Sequence, residues 1–196
     1  MKSQDPPIEL LQPILNLFTN GKLQQALSVT RQLLEKFPNS VILCNISGAS
    51  SAGLMQFDEA IKSYKKALAI KPDYTEAYYN MGIAFSDKGD IEAAIDSYKK
   101  ALEIKPDHIK TYFNMGNILK DMGDFEAAID SYKMVLKIKP DNVEAYNNMG
   151  IAYSDKGDFE AAIDSYKRAL EIKNDYAEAK ENLLSLMTSY SPQKEN

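Results

Sequence analysis

The sequence predicts an all-α chain, a solenoid of helix-turn-helix hairpins, and three observations carry that prediction. The first is a repeat. Residues 89–107 read GDIEAAIDSYKKALEIKPD, residues 123–141 read GDFEAAIDSYKMVLKIKPD and residues 157–175 read GDFEAAIDSYKRALEIKND, each beginning 34 positions after the last. The second is periodicity: Tyr78, Met81, Gly82 and Phe85 share one helical face, and after a polar break Ala94, Ile95, Tyr98, Ala101 and Leu102 share another, so each unit holds two short helices. The third is punctuation. Pro38, Pro72, Pro106 and Pro140, with Asn174 at the next place, stop the second helix of each unit, because proline cannot continue it.

The elements follow in order from local chemistry. Within a unit, Gly89 suits the left-handed end of the first helix, Asp90 can accept the orphan amides of the second, and Glu92 favours its positive end; Gly123-Asp124 and Gly157-Asp158 repeat the device. Between units, Asp73, Asp141 and Asp175 stand three residues before Glu76, Glu144 and Glu178, which predicts an aspartate form of the capping box. Gly82, Gly116 and Gly150 in first helices, and Ala60, Ala94, Ala128 and Ala162 in second helices, let backbones approach, while Tyr64, Tyr98, Tyr132 and Tyr166 fill the space around them. Core packing accounts for every member of that aromatic stripe without a cofactor. Units are predicted at 7–40, 41–74, 75–108, 109–142 and 143–176, within one array over 7–190. In the first unit Pro13 is expected to interrupt the first helix, and Ile14 replaces the glycine. A capping helix over 177–190 places Leu183, Leu184 and Met187 on one face, with Lys180, Glu181, Asn182 and Ser185 elsewhere. Residues 1–6 and 191–196 are expected to be disordered.

Composition narrows the function. The chain has 196 residues, 44% hydrophobic and 26% charged, which is ordinary for a folded domain or repeat array. A net charge of −5 argues against a nucleic-acid partner, which needs a basic face, and predicts a neutral or basic one. No stretch approaches the roughly 20 apolar residues of a membrane helix, and MKSQDPPIEL does not read as a secretion signal, so a soluble cytoplasmic protein is expected. Asn45-Ile46-Ser47 fits the glycosylation triplet, which in that setting is read as chance. Lone Cys44 and lone His108 exclude an internal disulfide and leave too few soft ligands for zinc.

Tyr78, Met81-Gly82, Phe85, Gly89, Ala94, Tyr98, Ala101 and Pro106 resemble the motif of the tetratricopeptide repeat (TPR), whose period is also 34. The pattern recurs with Tyr112, Gly116, Leu119, Ala128, Tyr132, Val135 and Pro140, then with Tyr146, Gly150, Tyr153, Ala162, Tyr166 and Ala169. The unit at Val41 keeps Gly48, Ala60, Tyr64, Ala67 and Pro72 but has Cys44 where the family places a large aromatic; the first unit keeps only Gly21, Ala26 and Pro38. The resemblance implies a right-handed α-solenoid superhelix of about five units plus the capping helix, with first helices lining a concave groove. It also implies a peptide-binding scaffold for protein–protein interaction.

In the family the groove positions fall here on Tyr79, Asn80, Ile83 and Asp87, then Phe113, Asn114, Asn117 and Asp121, then Asn147, Asn148, Ile151 and Asp155. The recurrent Asn80, Asn114 and Asn148 resemble the asparagine ladder of O-linked N-acetylglucosamine transferases. An asparagine amide both donates and accepts, so it can satisfy a peptide unit of any sequence. With units about 10 Å apart and an extended chain rising about 3.3 Å per residue, one asparagine would hold roughly every third ligand residue. Solvated polar residues facing an empty groove are the alternative reading. Towards the N-terminus the equivalent places hold Ile8, Leu11, Leu15, Phe18, Ile42 and Ile46, an apolar patch. A ligand's hydrophobic anchor, a second copy forming a homo-oligomer, or a distortion around Pro13 that turns these side chains inward would cover it. The acidic row Asp87, Asp121 and Asp155 suits a basic segment, or is a solvated face. The family's chaperone-tail clamp is not expected, because the places of its lysine, asparagine and further basic residues hold Tyr79 and Ile83, then Phe113 and Asn117.

Nothing in the sequence supports catalysis. His108 has no nucleophile at recurrent spacing, the glycines form no phosphate loop, and Glu92 with Asp96 reads as an exposed pair. A non-catalytic scaffold is therefore expected, without cofactor or metal. The alternatives are the N-terminal region of a larger glycosyltransferase, methyltransferase or sulfotransferase, and a self-assembling oligomer.

Overall fold

The computed structural model describes residues 4–189, and among these it is helical throughout, with eleven α-helices and no strand. They are α1 (Ile8–Thr19), α2 (Leu23–Lys36), α3 (Val41–Gly53), α4 (Phe57–Ile70), α5 (Thr75–Lys88), α6 (Ile91–Ile104), α7 (Ile109–Asp121), α8 (Phe125–Ile138), α9 (Val143–Lys156), α10 (Phe159–Ile172) and α11 (Ala177–Ser189). Consecutive helices pair as hairpins, and α11 is single. The chain is thus an all-α solenoid of hairpins, grouped into two compact units, α1–α6 and α7–α11. In the first unit each helix packs on the next from α2 to α6, α1 packs on α2, and the first helices α3 and α5 also touch. The second unit repeats the pattern from α7 to α11, with α7 touching α9 and α9 touching α11.

The hairpin crossing explains the paired glycines and tyrosines. A Cβ added to Gly48, Gly82, Gly116 or Gly150 would come within 2.8 Å of the ring of Tyr64, Tyr98, Tyr132 or Tyr166, respectively. All four rings are buried, so each glycine is there because a phenol occupies the place of its side chain. The first hairpin reverses the sizes: Ile14 stands at the glycine place and Thr30 at the tyrosine place, both fully buried. Thr30 satisfies its hydroxyl on the Ala26 carbonyl at 2.7 Å.

The hairpin turns follow the sequence reading. Gly89 and Gly157 sit at φ 89° and 90°, and the carboxylates of Asp90, Asp124 and Asp158 accept from the N–H of Ala93, Ala127 and Ala161 at 3.2–3.3 Å. The turns between hairpins differ from it. Asp73 lies inside a turn closed by Tyr74 N–H on the Lys71 carbonyl, so the capping place falls one residue later than expected. There Ser40 caps α3 and Asn142 caps α9, accepting from Leu43 and Ala145 at 3.1 and 2.7 Å, while Tyr74 makes no side-chain cap.

Three further expectations are corrected. Pro13 does not interrupt α1, which runs through it: the missing N–H frees only the Glu9 carbonyl, on an exposed face where water can take it. Residues 4–6 are placed rather than disordered. Gln4 N–H donates to the Asn39 carbonyl, Pro6 is buried, and Asp5 Oδ1 accepts from Ser40 Oγ at 2.6 Å and Ile42 N–H at 3.1 Å. On α11 the packed side chains are Ala179, Leu183 and Leu186, whereas Leu184 and Met187 are exposed, because the face that a following second helix would cover has no neighbour among the described residues. Residues 1–3, Tyr190 and the 191–196 tail lie outside the described residues.

Candidate functional site

First helices carry the expected site residues, and the asparagines among them prove to be tied to one another. In the first unit Asn80 Nδ2 donates to Asn45 Oδ1 at 3.1 Å, joining α5 to α3. In the second, Asn182 Nδ2 donates to Asn147 Oδ1 at 3.0 Å, the same pair moved along by three repeats, and joins α11 to α9. Asn148 Nδ2 reaches Asn117 Oδ1 at 3.0 Å, and that oxygen also accepts the Tyr132 hydroxyl at 2.8 Å. Asn147 Nδ2 donates to Asn148 Oδ1 at 3.3 Å. Asn114 is half-buried on α7. These bonds fix amide orientations across neighbouring hairpins and leave Asn80 with one amide hydrogen and its carbonyl oxygen uncommitted among the described residues.

The place held by Asn45 and Asn147 carries Tyr79 and Phe113 in the units between. There the ring of Tyr79 lies 6.2 Å from Tyr98, and Phe113 meets Tyr132 edge-on at 6.0 Å. In these two hairpins a ring, rather than an asparagine at that place, packs against the crossing tyrosine. Burial holds the Tyr132 phenol well above the usual tyrosine range. Ile83 and Ile151 are half-buried beside these groups, while Asp87, Asp121 and Asp155 are exposed. Lys120 Nζ lies 2.5 Å from Asp121 Oδ1; Asp87 and Asp155 form no ion pair among the described residues. Two exposed pairs, Lys88–Asp58 at 2.6 Å and Lys156–Glu126 at 3.0 Å, link neighbouring hairpins and add little stability in water.

The N-terminal apolar set divides. Leu11 and Ile46 are buried with Ile14, Ala26 and Leu43, and Leu15 and Phe18 pack half-buried against that cluster. Only Ile8 and Ile42 are exposed, so the set is mainly the interior of the first hairpin rather than an open wall. Sequence reasoning missed the Asn45 and Asn182 partners and the Tyr132–Asn117 bond. The available signal was an asparagine one place earlier in the neighbouring unit.

One cleft opens on the second unit. It has a volume of about 260 Å³ and lies among α9, α10 and α11, with Ile151, Asp155, Tyr166, Asn182, Ser185 and Ser189 among its lining. His108 caps no amide but pairs through Nδ1 with Thr111 Oγ1 at 2.6 Å, and burial raises the thiol pKa of Cys44. Among the described residues no three His, Cys, Asp or Glu side chains could share a metal, and no helix is long and apolar enough to cross a membrane.

Comparison with known proteins gives one consistent family. A model described as TPR repeat matches residues 56–89 and 116–157; three described as Tetratricopeptide repeat match 75–108 and 143–176, 97–130, and 15–40. The chain is 35% identical over 85 residues to a peroxisomal targeting signal receptor of Kluyveromyces lactis, covering 43% of this chain and 15% of that protein. The corresponding receptor of Saccharomyces cerevisiae is 31% identical over 85 residues, 43% of this chain and 14% of its own length. The chain thus spans about one seventh of the curated relatives it matches. Among solved structures, a crystal structure of MamA superposes with TM-score 0.76 at 29% identity, over 83% of this chain and 95% of MamA. YrrB, described as a TPR protein with an unusual peptide-binding site, superposes with TM-score 0.72 at 20% identity, over 90% of this chain and 91% of its own.

Proposed function

Since this chain belongs to the tetratricopeptide repeat family, we propose that it is a non-catalytic, cytoplasmic scaffold that holds an extended segment of another protein against its first helices. The observation that carries this reading is the set of asparagine amides held in place from hairpin to hairpin: Asn80 on Asn45, Asn148 on Asn117 and Asn182 on Asn147. Polar side chains already fixed by one another lose little freedom when a peptide backbone bonds to what they still offer. The matched relatives are receptors for a targeting signal, which supports a peptide as occupant. The exposed Asp87 and Asp155, with a net charge of −5, favour a basic one.

The test begins with peptides selected from a displayed random library on the intact chain. Changing Asn114 and Asn148 together to Ala should weaken the selected peptides by about 1–3 kcal/mol, the cost of stranding polar groups. Because Asn148 also bonds Asn117, a circular-dichroism melt must show that the variant remains folded. Unchanged affinity in a folded variant would place the peptide elsewhere and end this reading.

A further inference from the structure

Two neighbouring hairpins of the second unit differ at one buried phenol. In α7–α8 the Tyr132 hydroxyl donates to Asn117 Oδ1. One repeat later Ile151 takes the place of that asparagine, and among the described residues the Tyr166 hydroxyl has no hydrogen-bond partner, although the side chain is only 3% exposed. The ring is buried, but the hydroxyl is not among the sealed, unpartnered polar atoms, so it stays open to the cleft as a free donor. It lines the cleft among α9, α10 and α11. Burial, and then the charge of Asp155, push the Tyr166 pKa up to about 12, which puts that carboxylate within electrostatic reach of the phenol.

The other polar groups of the cleft are one carboxylate, Asp155, and neutral amide and hydroxyl groups. Asn182 Nδ2 gives one hydrogen to Asn147 Oδ1 and keeps the other, together with its carbonyl oxygen. The Ser189 hydroxyl hydrogen turns to the Ser185 and Leu186 carbonyls, which leaves oxygen lone pairs. Asp155 is a carboxylate without an ion pair among the described residues. A carboxylate without an ion pair, set among neutral groups that can donate or accept, suits a ligand that brings a positive charge, and an ammonium supplies it with three donors. At about 260 Å³ the cleft is smaller than the roughly 300–1,000 Å³ that encloses a drug-sized molecule, so it suits a single side chain.

We propose that this cleft takes a lysine or arginine side chain of the bound segment, with Asp155 meeting its charge and Tyr166 donating to a neighbouring main-chain carbonyl. The inference rests on the peptide-holding reading and assigns one specificity pocket within it.

The probes are blocked pentapeptides, acetyl-Ala-Ala-Lys-Ala-Ala-amide and its norleucine and glutamate counterparts, titrated into the ¹⁵N-labelled chain while amide shifts are followed. The lysine peptide should move the amides of Asp155, Asn182 and Ser185 and bind about fivefold more tightly than the norleucine peptide, the scale of one partly exposed ion pair. Asp155→Asn, at an exposed position, should abolish that preference while leaving norleucine binding unchanged. Tyr166→Phe should weaken lysine and norleucine peptides alike, since it acts on the main chain. Equal binding of lysine and norleucine peptides with shifts at the cleft would overturn the cationic pocket and leave the scaffold reading intact. Shifts confined to other first-helix residues would do the same. An absence of shifts on any first helix would count against both.

Discussion

The first hairpin and the four that follow make the same helix crossing with opposite sizes. In α3–α10 a glycine on the first helix receives a buried tyrosine from the second; in α1–α2 the large residue, Ile14, is on the first helix and the small one, Thr30, is on the second. The fold therefore constrains the sum of the two volumes rather than either residue. Volume-conserving exchanges of this kind are the ones a close-packed interior tolerates. A phenol recurs with the glycine, and this has an electrostatic consequence that the first hairpin escapes.

That consequence should produce the largest effect. Tyr64, Tyr132 and Tyr166 have phenols raised above the ordinary value of 10.0 chiefly by burial, Tyr166 to about 12. The folded state then keeps protons that the unfolded chain gives up. The stability they contribute is complete below pH 10 and is lost as pH rises through 10 to 12 and beyond. By phenolate absorbance the crossing tyrosines should ionise only above pH 10, in one step together with loss of helical circular dichroism. If all phenols ionise near pH 10 with helicity intact, they are not buried at these crossings.

A transplant tests the comparison directly. Gly82→Ile alone puts a Cβ within 2.5 Å of the Tyr98 ring and should cost about 3 kcal/mol by overpacking. Adding Tyr98→Thr recreates the pair of the first hairpin and should recover at least half of that loss in denaturant melts. No recovery would mean that Ile14 and Thr30 depend on something other than shared volume. Leu11→Glu examines the first hairpin from its interior. It should lower stability by about 2 kcal/mol, because a charge replaces a buried leucine, while the mass by light scattering stays the same. A halved mass with unchanged stability would instead make this residue part of an interface between copies.

The repeat made most of the fold legible. Helix starts at Val41, Thr75, Ile109 and Val143 fall at the predicted unit boundaries, since a 34-residue period with glycine and proline punctuation leaves little choice of where helices stop. What could not be read was non-periodic. Pro13 looked like a break, but the cost of one lost bond depends on whether water reaches the freed carbonyl. Leu184 and Met187 looked like the packed face of α11 because in every earlier first helix that face meets a partner helix. The asparagines were legible as a row, but their mutual bonds were not: those join side chains 31 or 35 residues apart, one place off the repeat register or one turn across it.

The smallest effect separates the last two hairpins. Tyr132→Phe removes a hydroxyl that donates to Asn117 Oδ1 and should cost about 1 kcal/mol, the net worth of one buried hydrogen bond. Tyr166→Phe removes a hydroxyl with no partner among the described residues, so its melting curve should overlay that of the wild type. Ile151→Asn restores the acceptor of the preceding hairpin, and in that background Tyr166→Phe should acquire a cost like that of Tyr132→Phe. The cycle turns on a single difference, asparagine or isoleucine immediately after the crossing glycine. If Tyr166→Phe is as costly in the wild type as Tyr132→Phe, the phenol already has a partner, and the cleft beside it loses the unmet donor that argues for a ligand.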